Sequence, residues 1–321
     1  MKAIRVNAYG GPENLVLENV DVPKPAPGQA RVRLHAIGLN FIDIYQRRGT
    51  YPVQLPYTPG LEGAGVVEDI GEGVTEIQPG ERVAYTGQPG AYAEVSLVKA
   101  DSLIPLPPDV TFEQGAAFPL QGMTAHYLIN EYRAIKPGDT VLIHAAAGGM
   151  GLLLVQWAKH LGARVVGTVS TEEKAAAAKE AGADETIIYT NQNFVDELNK
   201  LTDGRGAELI IDGVGKTTFA GNLDAAAVRG TVVIFGSASG QADPIAPNSL
   251  QKKSITVCGG ALWNYLLTRK ELLTRATDVL NGMKEGWLKL RVDNVLSLPE
   301  AAQAHQMLET RATIGKVILK V

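Results

Sequence analysis

The pattern Ala-x-x-Gly-x-x-Gly at residues 145 to 151 has the residue types and spacing of a phosphate-binding turn. In a dinucleotide-binding turn, a small first residue makes the bend and the second glycine lets a pyrophosphate approach the backbone, while the third lets the helix pack on the strand. The helix start that follows offers N–H groups and a positive dipole end to a phosphate. Glycine clusters also occur at ordinary strand–helix turns. The segments TVLIHA, LLLVQWAKHLG and ARVVGTV supply the strand, helix and strand that this motif requires, and we therefore predict a nucleotide site.

The end of the second strand indicates which dinucleotide is bound. An NAD-binding unit usually has Asp or Glu about 20 residues past the glycines, where the carboxylate binds the ribose 2′-hydroxyl. Val169 stands at that position, and a capping box with Ser170 accounts for Glu173. Only Ser, Thr and Ala lie three and four residues from Lys174. A solvated surface lysine is the alternative, but a cation here, with no carboxylate to repel a 2′-phosphate, favours NADPH.

Composition and charge narrow the classes of partner. The 321 residues suggest about two domains, and the net charge of −4 gives no basic excess for nucleic acid or an anionic membrane. The first 20 residues resemble no targeting segment, and glycines divide the apolar stretch 140–170 into a strand and a helix rather than a membrane span. Cys258 is the single cysteine, which excludes an internal disulfide and fits a cytoplasmic protein.

The side chains that usually bind zinc are not spaced for it. The five histidines show no HxxxH pair and no zinc-type cluster with Cys258; they are His35, His126, His144, His160 and His305. We therefore predict no metal site and interpret each histidine as structural or surface-exposed.

The predicted pattern of secondary structure changes at about residue 120. Up to about residue 120, short β-like runs alternate with Gly- and Pro-rich turns, which is typical of a small barrel or sandwich. The runs are ARVRLHAIGLN, EGAGVVEDIG, ERVAY and AYAEVSLV. Beyond that point, continuous apolar strands alternate with helices near 150–161, 172–181, 193–202 and 216–228. This alternation predicts a doubly wound α/β domain with a parallel sheet covered on both faces.

The last part of the chain is too short to bury a core of its own. It contains helical stretches at about 264–285 and 299–310 and the strand-like GKVILKV. We expect this tail to pack on the first domain, and SITVCGG to form the sixth strand of the α/β domain.

The run GDTVLIHAAAGGMGLLLVQWAK, residues 138 to 159, resembles the signature of quinone oxidoreductases related to zeta-crystallin, in the medium-chain dehydrogenase/reductase superfamily. The segments GLNFIDIYQRRGTYP, PLQGMTAHYL, VVIFGSASG and LETRATIGKVIL also agree, so the resemblance covers essentially the whole chain. It implies a Rossmann doubly wound parallel sheet, residues 122–265, inserted into a GroES-like β-barrel catalytic domain, residues 1–121 and 266–321.

The resemblance also implies an NADPH site. The positions that match cofactor contacts of the family are Asn40, Thr124, Gly148, Met150, Lys174, Tyr189, Phe235, Gly236 and Arg311. The neighbouring residues Ala147, Gly149, Gly151, Ser170 and Ser237 complete the predicted set, although the serine position after Phe-Gly could fall on Ala238 instead.

Zinc-containing relatives carry a cysteine and a Gly-His-Glu motif where this chain has Asn40 and Leu61. Without a Lewis acid an alcohol is poorly polarised, whereas a quinone or conjugated enone spreads the arriving negative charge onto a carbonyl oxygen. We predict Asn40, Tyr45 and Tyr51 as catalytic residues that donate hydrogen bonds. A turn-capping asparagine and half-buried tyrosines are the alternatives, and Asp43 could hold a local turn.

The predicted function is NADPH-dependent, metal-free reduction of quinones by an oxidoreductase. The alternatives are an enone or alkenal double-bond reductase, and a noncatalytic NADPH-binding protein with a structural or RNA-binding role. The absence of a basic cluster weakens the RNA-binding alternative. By resemblance we also expect a homodimer, joined through the edge strand SITVCGG.

Overall fold

The computed structural model describes residues 1–321. It divides into two compact units. The first unit contains Met1–Leu120, Leu266–Thr277 and Leu290–Val321, and the second contains Gln121–Tyr265 and Asp278–Lys289.

Fifteen strands and nine α-helices make up the regular structure. The strands are β1 (Lys2–Arg5), β2 (Val16–Asn19), β3 (Gln29–Gly38), β4 (Glu62–Ile70), β5 (Arg82–Thr86), β6 (Val95–Lys99), β7 (Ile104–Pro105), β8 (Thr140–Ile143), β9 (Arg164–Val169), β10 (Glu185–Ile188), β11 (Ala207–Asp212), β12 (Ala226–Ile234), β13 (Thr256–Gly259), β14 (Asn294–Ser297) and β15 (Val317–Lys320). The helices are α1 (Phe41–Arg48), α2 (Phe112–Ala117), α3 (Pro119–Asn130), α4 (Gly149–His160), α5 (Glu172–Glu180), α6 (Phe194–Leu201), α7 (Phe219–Ala225), α8 (Arg269–Glu285) and α9 (Ala301–Glu309).

The first unit is built on a seven-stranded sheet in which β14, β15, β3, β4, β5 and β7 follow one another, and β6 also pairs with β3. Buried and more exposed side chains alternate along β3 as far as Ala36, because one face of the sheet covers the core. The C-terminal strand β15 runs antiparallel to β3, with Ile318 opposite Gly38. The end of the chain therefore returns to the first unit, as the sequence predicted.

The second unit contains a six-stranded parallel sheet in the order β10-β9-β8-β11-β12-β13. This is the strand order 3-2-1-4-5-6 of a dinucleotide-binding fold, and it confirms the predicted doubly wound class. All four residues of β8 are buried, as expected for a strand covered on both faces. Helix α7 ends at Ala225 and not at 228, because Ala226 is already extended and pairs with Ala207.

The predicted division at residue 266 assigns the whole of α8 to the first domain, whereas residues 278–289 belong to the second unit. Val279 packs so closely on α3 that a Cβ at Gly122 would lie 2.8 Å from its Cγ1. The rings of Trp287 and Trp157 are 5.3 Å apart, which joins the same segment to α4. Helix α8 is thus shared, and sequence periodicity cannot show where one helix changes its packing partner.

Helix α1 was not predicted from the sequence, and it carries several of the candidate residues.

The apolar stretch 140–170 forms β8, α4 and β9. No helix combines the length and the apolar character that a membrane span requires.

Candidate functional site

The predicted phosphate-binding turn connects β8 to α4. Ala145, in the first slot of the motif, has φ 52°, the left-handed conformation that glycine adopts most easily. The Gly148 N–H donates to the Ala145 carbonyl at 3.0 Å and closes the turn, and Gly148 is the N-cap of α4. A small residue therefore makes the bend, although alanine does so with some backbone strain.

The glycines of the turn differ in what surrounds them. A Cβ at Gly151 would lie 2.3 Å from the Ala145 oxygen and 2.6 Å from Cα of Ala146, so the first turn of α4 rests directly on backbone. A Cβ at Gly148 would have only the Ala145 oxygen near it, at 3.3 Å. The backbone is thus tightly packed at Gly151 and open at Gly148, where the free N–H groups of the helix start can receive a phosphate. This geometry fits the pyrophosphate of a dinucleotide.

Ser170 and Tyr189 lie beside the end of β9, and Lys174 follows in the next helix, α5. The Tyr189 N–H donates to the Val169 carbonyl at 3.0 Å, and the hydroxyl of Thr190 donates to the Ser170 carbonyl at 3.1 Å. Lys174 is in the first turn of α5. The predicted capping box of Ser170 with Glu173 is wrong, because Thr171 is the residue with extended φ and ψ and its hydroxyl accepts the Lys174 N–H at 3.2 Å.

The segment Phe235–Ser237 follows β12 and lies against the turn after β11. A Cβ at Gly236 would lie 2.8 Å from the Gly213 carbonyl oxygen, so the two turns are in backbone contact. The hydroxyl of Ser239 donates to the Val214 carbonyl at 2.8 Å and so stabilises the contact between these turns. These segments, like the turn after β8, lie at the carboxyl ends of parallel strands, where ligands bind in this class of sheet.

The other candidate residues of the second unit lie in α3 and around the start of α4. Thr124 is buried in α3. Ala147 is buried before the N-cap of α4, while Gly149 and Met150 are half-buried at its start.

A buried network that the sequence did not reveal supports the turns of the second unit. His144 lies 2.7 Å from Oδ1 of Asn222 and 2.9 Å from the hydroxyl of Thr168. Asn222 donates through Nδ2 to Asp212 at 2.6 Å, so its oxygen must accept from the imidazole. Burial lowers the pKa of His144, and a neutral ring suits this arrangement. His144, which follows β8, is structural, as predicted, and its hydrogen bonds join the end of β8 to β9 and to α7.

In the first unit, Asn40 is the N-cap of α1 and its side chain lies beside a buried ion pair. Its Nδ2 donates to Oε2 of Glu62 at 2.9 Å, and its Oδ1 accepts from Nζ of Lys316 at 2.7 Å. Nζ of Lys316 also lies 2.6 Å from Oε2 of Glu62, which forms the ion pair. Nothing in the sequence indicates this cluster, because Glu62 at the start of β4 and Lys316 just before β15 reach Asn40 only in the folded chain.

The backbone of Asn40 is fixed by Asp43, which is completely buried. Oδ2 of Asp43 accepts from the Asn40 N–H at 2.9 Å and from the hydroxyl of Tyr92 at 3.2 Å, while Oδ1 has no hydrogen-bond partner. Burial raises the pKa of Asp43 to about 7, against the lowering effects of the Asn40 N–H, Lys316 and Tyr92. The turn-holding role predicted for Asp43 therefore fits. With a pKa of about 7, its carboxyl group also gains or loses a proton near neutral pH.

Tyr92 continues this chain of hydrogen bonds toward α9. Its hydroxyl is 3.0 Å from Nε2 of His305, whose Nδ1 is 3.3 Å from Nη1 of Arg47, and Arg47 pairs with Glu309. Arginine can only donate, so Nδ1 of His305 accepts and its Nε2–H points to Tyr92. Burial, followed by the charge of Arg47, lowers the pKa of His305 to about 3, so the ring is neutral. Helices α1 and α9 are thus joined through buried polar groups.

The two tyrosines form an aromatic pair on the more exposed side of α1. The ring centroids of Tyr45 and Tyr51 are 5.4 Å apart, and Tyr51 is 49% exposed. Both N–H groups of the Asn40 amide already have acceptors, the second being the Gly38 carbonyl at 3.3 Å. Neither N–H group is left for a ligand, which argues against the donor role predicted for Asn40, while the role predicted for the two tyrosines stays a prediction. Arg311 lies after α9, exposed and in a left-handed conformation with φ 57°.

The residues at the zinc position of related dehydrogenases do not fit a zinc ion. Leu61 has no ligand atom in its side chain, and the Lys316 ammonium already lies against the Asn40 oxygen, where it would repel a cation. Elsewhere, no group of three or more His, Cys, Asp or Glu side chains is arranged to hold a metal.

Two family models match the chain. Residues 26–108 match the alcohol dehydrogenase GroES-like domain, and residues 149–278 match the zinc-binding dehydrogenase model. A quinone oxidoreductase of Pseudomonas aeruginosa is 43% identical over 99% of both chains. A 2-haloacrylate reductase of Burkholderia is 42% identical over 98% of this chain and 97% of its own.

Comparison of structures gives the same relationship. The crystal structure of Escherichia coli quinone oxidoreductase complexed with NADPH superimposes with a TM-score of 0.97, at 39% identity and with complete coverage of both chains. The GroES-like and Rossmann folds predicted from the sequence are thereby confirmed. The chain belongs to the zeta-crystallin-like quinone oxidoreductase family of the medium-chain dehydrogenase/reductase superfamily.

Proposed function

We propose that this protein reduces quinones with NADPH and without a metal. The observation that carries the proposal is the turn at residues 145–151, open at Gly148 and closed at Gly151, in a chain that matches quinone oxidoreductases over its whole length. The NADPH in the related Escherichia coli structure supports the choice of cofactor.

In the second unit, the start of α4 would hold the pyrophosphate, with Ala147, Gly148, Gly149, Met150 and Gly151 around it. Ser170, Lys174 and Tyr189 would surround the ribose 2′-phosphate, because they follow the carboxyl ends of the neighbouring strands β9 and β10. Phe235, Gly236, Ser237 and Thr124 complete the proposed contacts of this unit, and Asn40 and Arg311 those of the first. The Lys174 ammonium is the group that would distinguish NADPH from NADH.

When bound, NADPH supplies a hydride. The chain's own contribution is to align the acceptor and to stabilise the charge that arrives on its carbonyl oxygen. The hydroxyls of Tyr45 and Tyr51 can donate hydrogen bonds to that oxygen, and the exposure of Tyr51 allows water to supply the proton. Neither tyrosine needs to be an obligatory acid, since a hydroquinone oxygen can take its proton from solvent.

Further proposals concern the metal, the assembly and the location. Zinc independence is supported by Leu61 and by the ammonium beside Asn40. A homodimer is supported by β13, the edge strand of the parallel sheet, which could pair with a second copy. The single cysteine supports a location in the reducing cytoplasm.

The second candidate is reduction of a conjugated double bond, which the similarity to a 2-haloacrylate reductase favours. It would use nearly the same residues, because an enone also receives the hydride at carbon and the charge at oxygen. A noncatalytic role has less support, since the relatives described above carry the names of enzymes.

The cofactor assignment can be tested with Gly151→Ala. The new methyl group would meet the Ala145 oxygen at 2.3 Å, so the turn must open and the Kd for NADPH, measured by fluorescence titration, should rise about tenfold or more. Gly221→Ala is the matched control, because its methyl group meets the Phe194 ring at 2.6 Å in the same unit. This control should lower stability but keep the Kd. Unchanged NADPH affinity in folded Gly151→Ala would refute the assignment of the turn.

A further inference from the structure

The orientation of the Asn40 amide is determined by charged neighbours. A lysine ammonium can only donate hydrogen bonds, and an ionised carboxylate can only accept them. Lys316 must therefore face the amide oxygen, at 2.7 Å, and Glu62 must face the amide nitrogen, at 2.9 Å. The usual ambiguity between the two ends of an asparagine amide does not arise here.

The cluster is held rigidly by the strands around it. Lys316, Glu62 and Asn40 are 3%, 0% and 4% exposed. The other carboxylate oxygen of Glu62 accepts the Leu120 N–H at 2.6 Å. A Cβ at Gly38 would lie 2.3 Å from Oε2 of Glu62, so the backbone of β3 also confines the carboxylate. Rotation of the Asn40 amide would break contacts to both charges at once.

The hydrogen-bonding positions that Asn40 has left determine which ligand groups it can bind. Its two N–H groups are directed to Glu62 and to the Gly38 carbonyl, and one of the two oxygen lone pairs is directed to Lys316. Asp43 caps the start of α1 as well, but its N–H donates to the backbone carbonyl of Asn40 at 3.1 Å and forms no hydrogen bond to the side chain, so one acceptor position on Oδ1 remains. We propose that Glu62 and Lys316 are positioning residues that make Asn40 a hydrogen-bond acceptor, so that the ligand group it meets must be an N–H or O–H donor.

This inference rests on the proposed function for the placement of Asn40 beside bound ligand, and it refines that function. A quinone carbonyl only accepts hydrogen bonds, so Asn40 cannot activate it. The donor must come from the cofactor, through a carboxamide N–H or ribose O–H, or from the hydroxyl of a reduced product. Asn40 then orients one reactant, and activation of the carbonyl is left to other groups.

The first experiment compares NADPH with its reduced 3-acetylpyridine analogue, which lacks the carboxamide N–H. Kd values are measured without quinone, for the wild type and Asn40→Ala. We expect Asn40→Ala to weaken binding of at least one donor-bearing ligand about tenfold. Loss of discrimination between the two cofactors identifies the carboxamide, and equal weakening of both identifies the ribose hydroxyl. An effect confined to inhibition by hydroquinone identifies the product. The acceptor role is overturned if all three affinities stay at wild-type values.

The second experiment tests whether Lys316 acts through Asn40. Lys316→Met should reproduce the Asn40→Ala effect on Kd, and the double variant should show no further loss, because the second change removes nothing that remains. Lys320→Met, which removes an exposed ammonium paired with Glu113, should leave the Kd unchanged. If Lys316→Met fails to fold, Glu62→Gln/Lys316→Met removes both buried charges and takes its place. Independent, additive losses in the two changes would overturn the positioning role.

These binding measurements also separate the inference from the proposed function. A protein that binds NADPH as expected but reduces neither quinones nor enones would refute the proposed function and leave the acceptor role testable. A protein that reduces quinones with unaltered ligand affinities in Asn40→Ala would refute only the inference.

Discussion

Asp43 should make the first unit less stable as the pH rises through neutrality. Its carboxyl group is completely buried, and burial raises its pKa from 3.8 to about 7. The folded protein therefore keeps this group protonated over a range in which the unfolded chain has lost the proton. Stability contributed by the proton is present below pH 4 and is lost progressively as the pH approaches 7, above which no further change is expected.

Asp43→Asn removes this titration while keeping the size of the side chain. A pKa difference of about 3 corresponds to roughly 4 kcal/mol at 1.36 kcal/mol per pH unit, and the part between pH 5 and 8 to roughly 3 kcal/mol. In urea unfolding of the cofactor-free protein, the advantage of wild type over Asp43→Asn should thus fall by about this amount from pH 5 to pH 8.

Asp184→Asn is a control with the opposite sign. Burial of Asp184 is outweighed by the hydrogen bonds from Lys159 and the Val165 N–H, so its pKa is lowered. Wild type should gain stability over Asp184→Asn as the pH rises through the acid range, and show no trend near neutrality. A difference between wild type and Asp43→Asn that stays constant from pH 5 to 8 would show that Asp43 is ionised throughout, and would refute the reasoning.

Four other predictions concern the proposed site and assembly. Lys174→Ala should raise KM for NADPH roughly 10- to 150-fold, the effect of losing a charge-assisted contact of about 1.5–3 kcal/mol, and leave KM for NADH nearly unchanged. Equal effects on both cofactors would show that Lys174 does not bind the 2′-phosphate. Tyr51→Phe should retain substantial quinone turnover, because the product can take its proton from water, whereas Asn40→Ala should reduce kcat/KM more. Abolished quinone reduction in Tyr51→Phe, with intact NADPH affinity, would make the tyrosine an obligatory acid. Thr256→Pro removes a backbone donor from β13 and should weaken the dimer in sedimentation experiments; a monomeric wild type would contradict this. Strong chelators should leave turnover unchanged, and one removable zinc per chain with loss of activity would refute zinc independence.

The second unit was largely predictable from the sequence. Its strands are short apolar runs separated by helices, and this local pattern is sufficient to predict a parallel sheet. The exact ends were less predictable, as Ala226 shows by leaving α7 for β12. The changing neighbours of α8 were hidden because the packing of Val279 on Gly122 joins residues more than 150 positions apart.

The proposed site was predictable where it depends on local backbone. The bend at Ala145 and the close contact at Gly151 follow from small residues at fixed spacing. The surroundings of Asn40 were not predictable, since Lys316 reaches it from the far end of the chain. In the sequence, a lysine directly before an apolar strand, such as Lys316, is as compatible with an exposed position as with a buried ion pair. For this reason the sequence could not show that both N–H groups of Asn40 already have acceptors.

The most direct test of the proposed function compares two acceptors on one enzyme preparation. The rate of NADPH oxidation, followed by its absorbance, gives kcat/KM for a simple quinone and for a conjugated enone. We predict that the quinone is preferred by about tenfold or more, a difference of at least about 1.4 kcal/mol in transition-state stabilisation. Preference for the enone, or absence of quinone turnover in a protein that binds NADPH, would contradict the assignment as a quinone reductase.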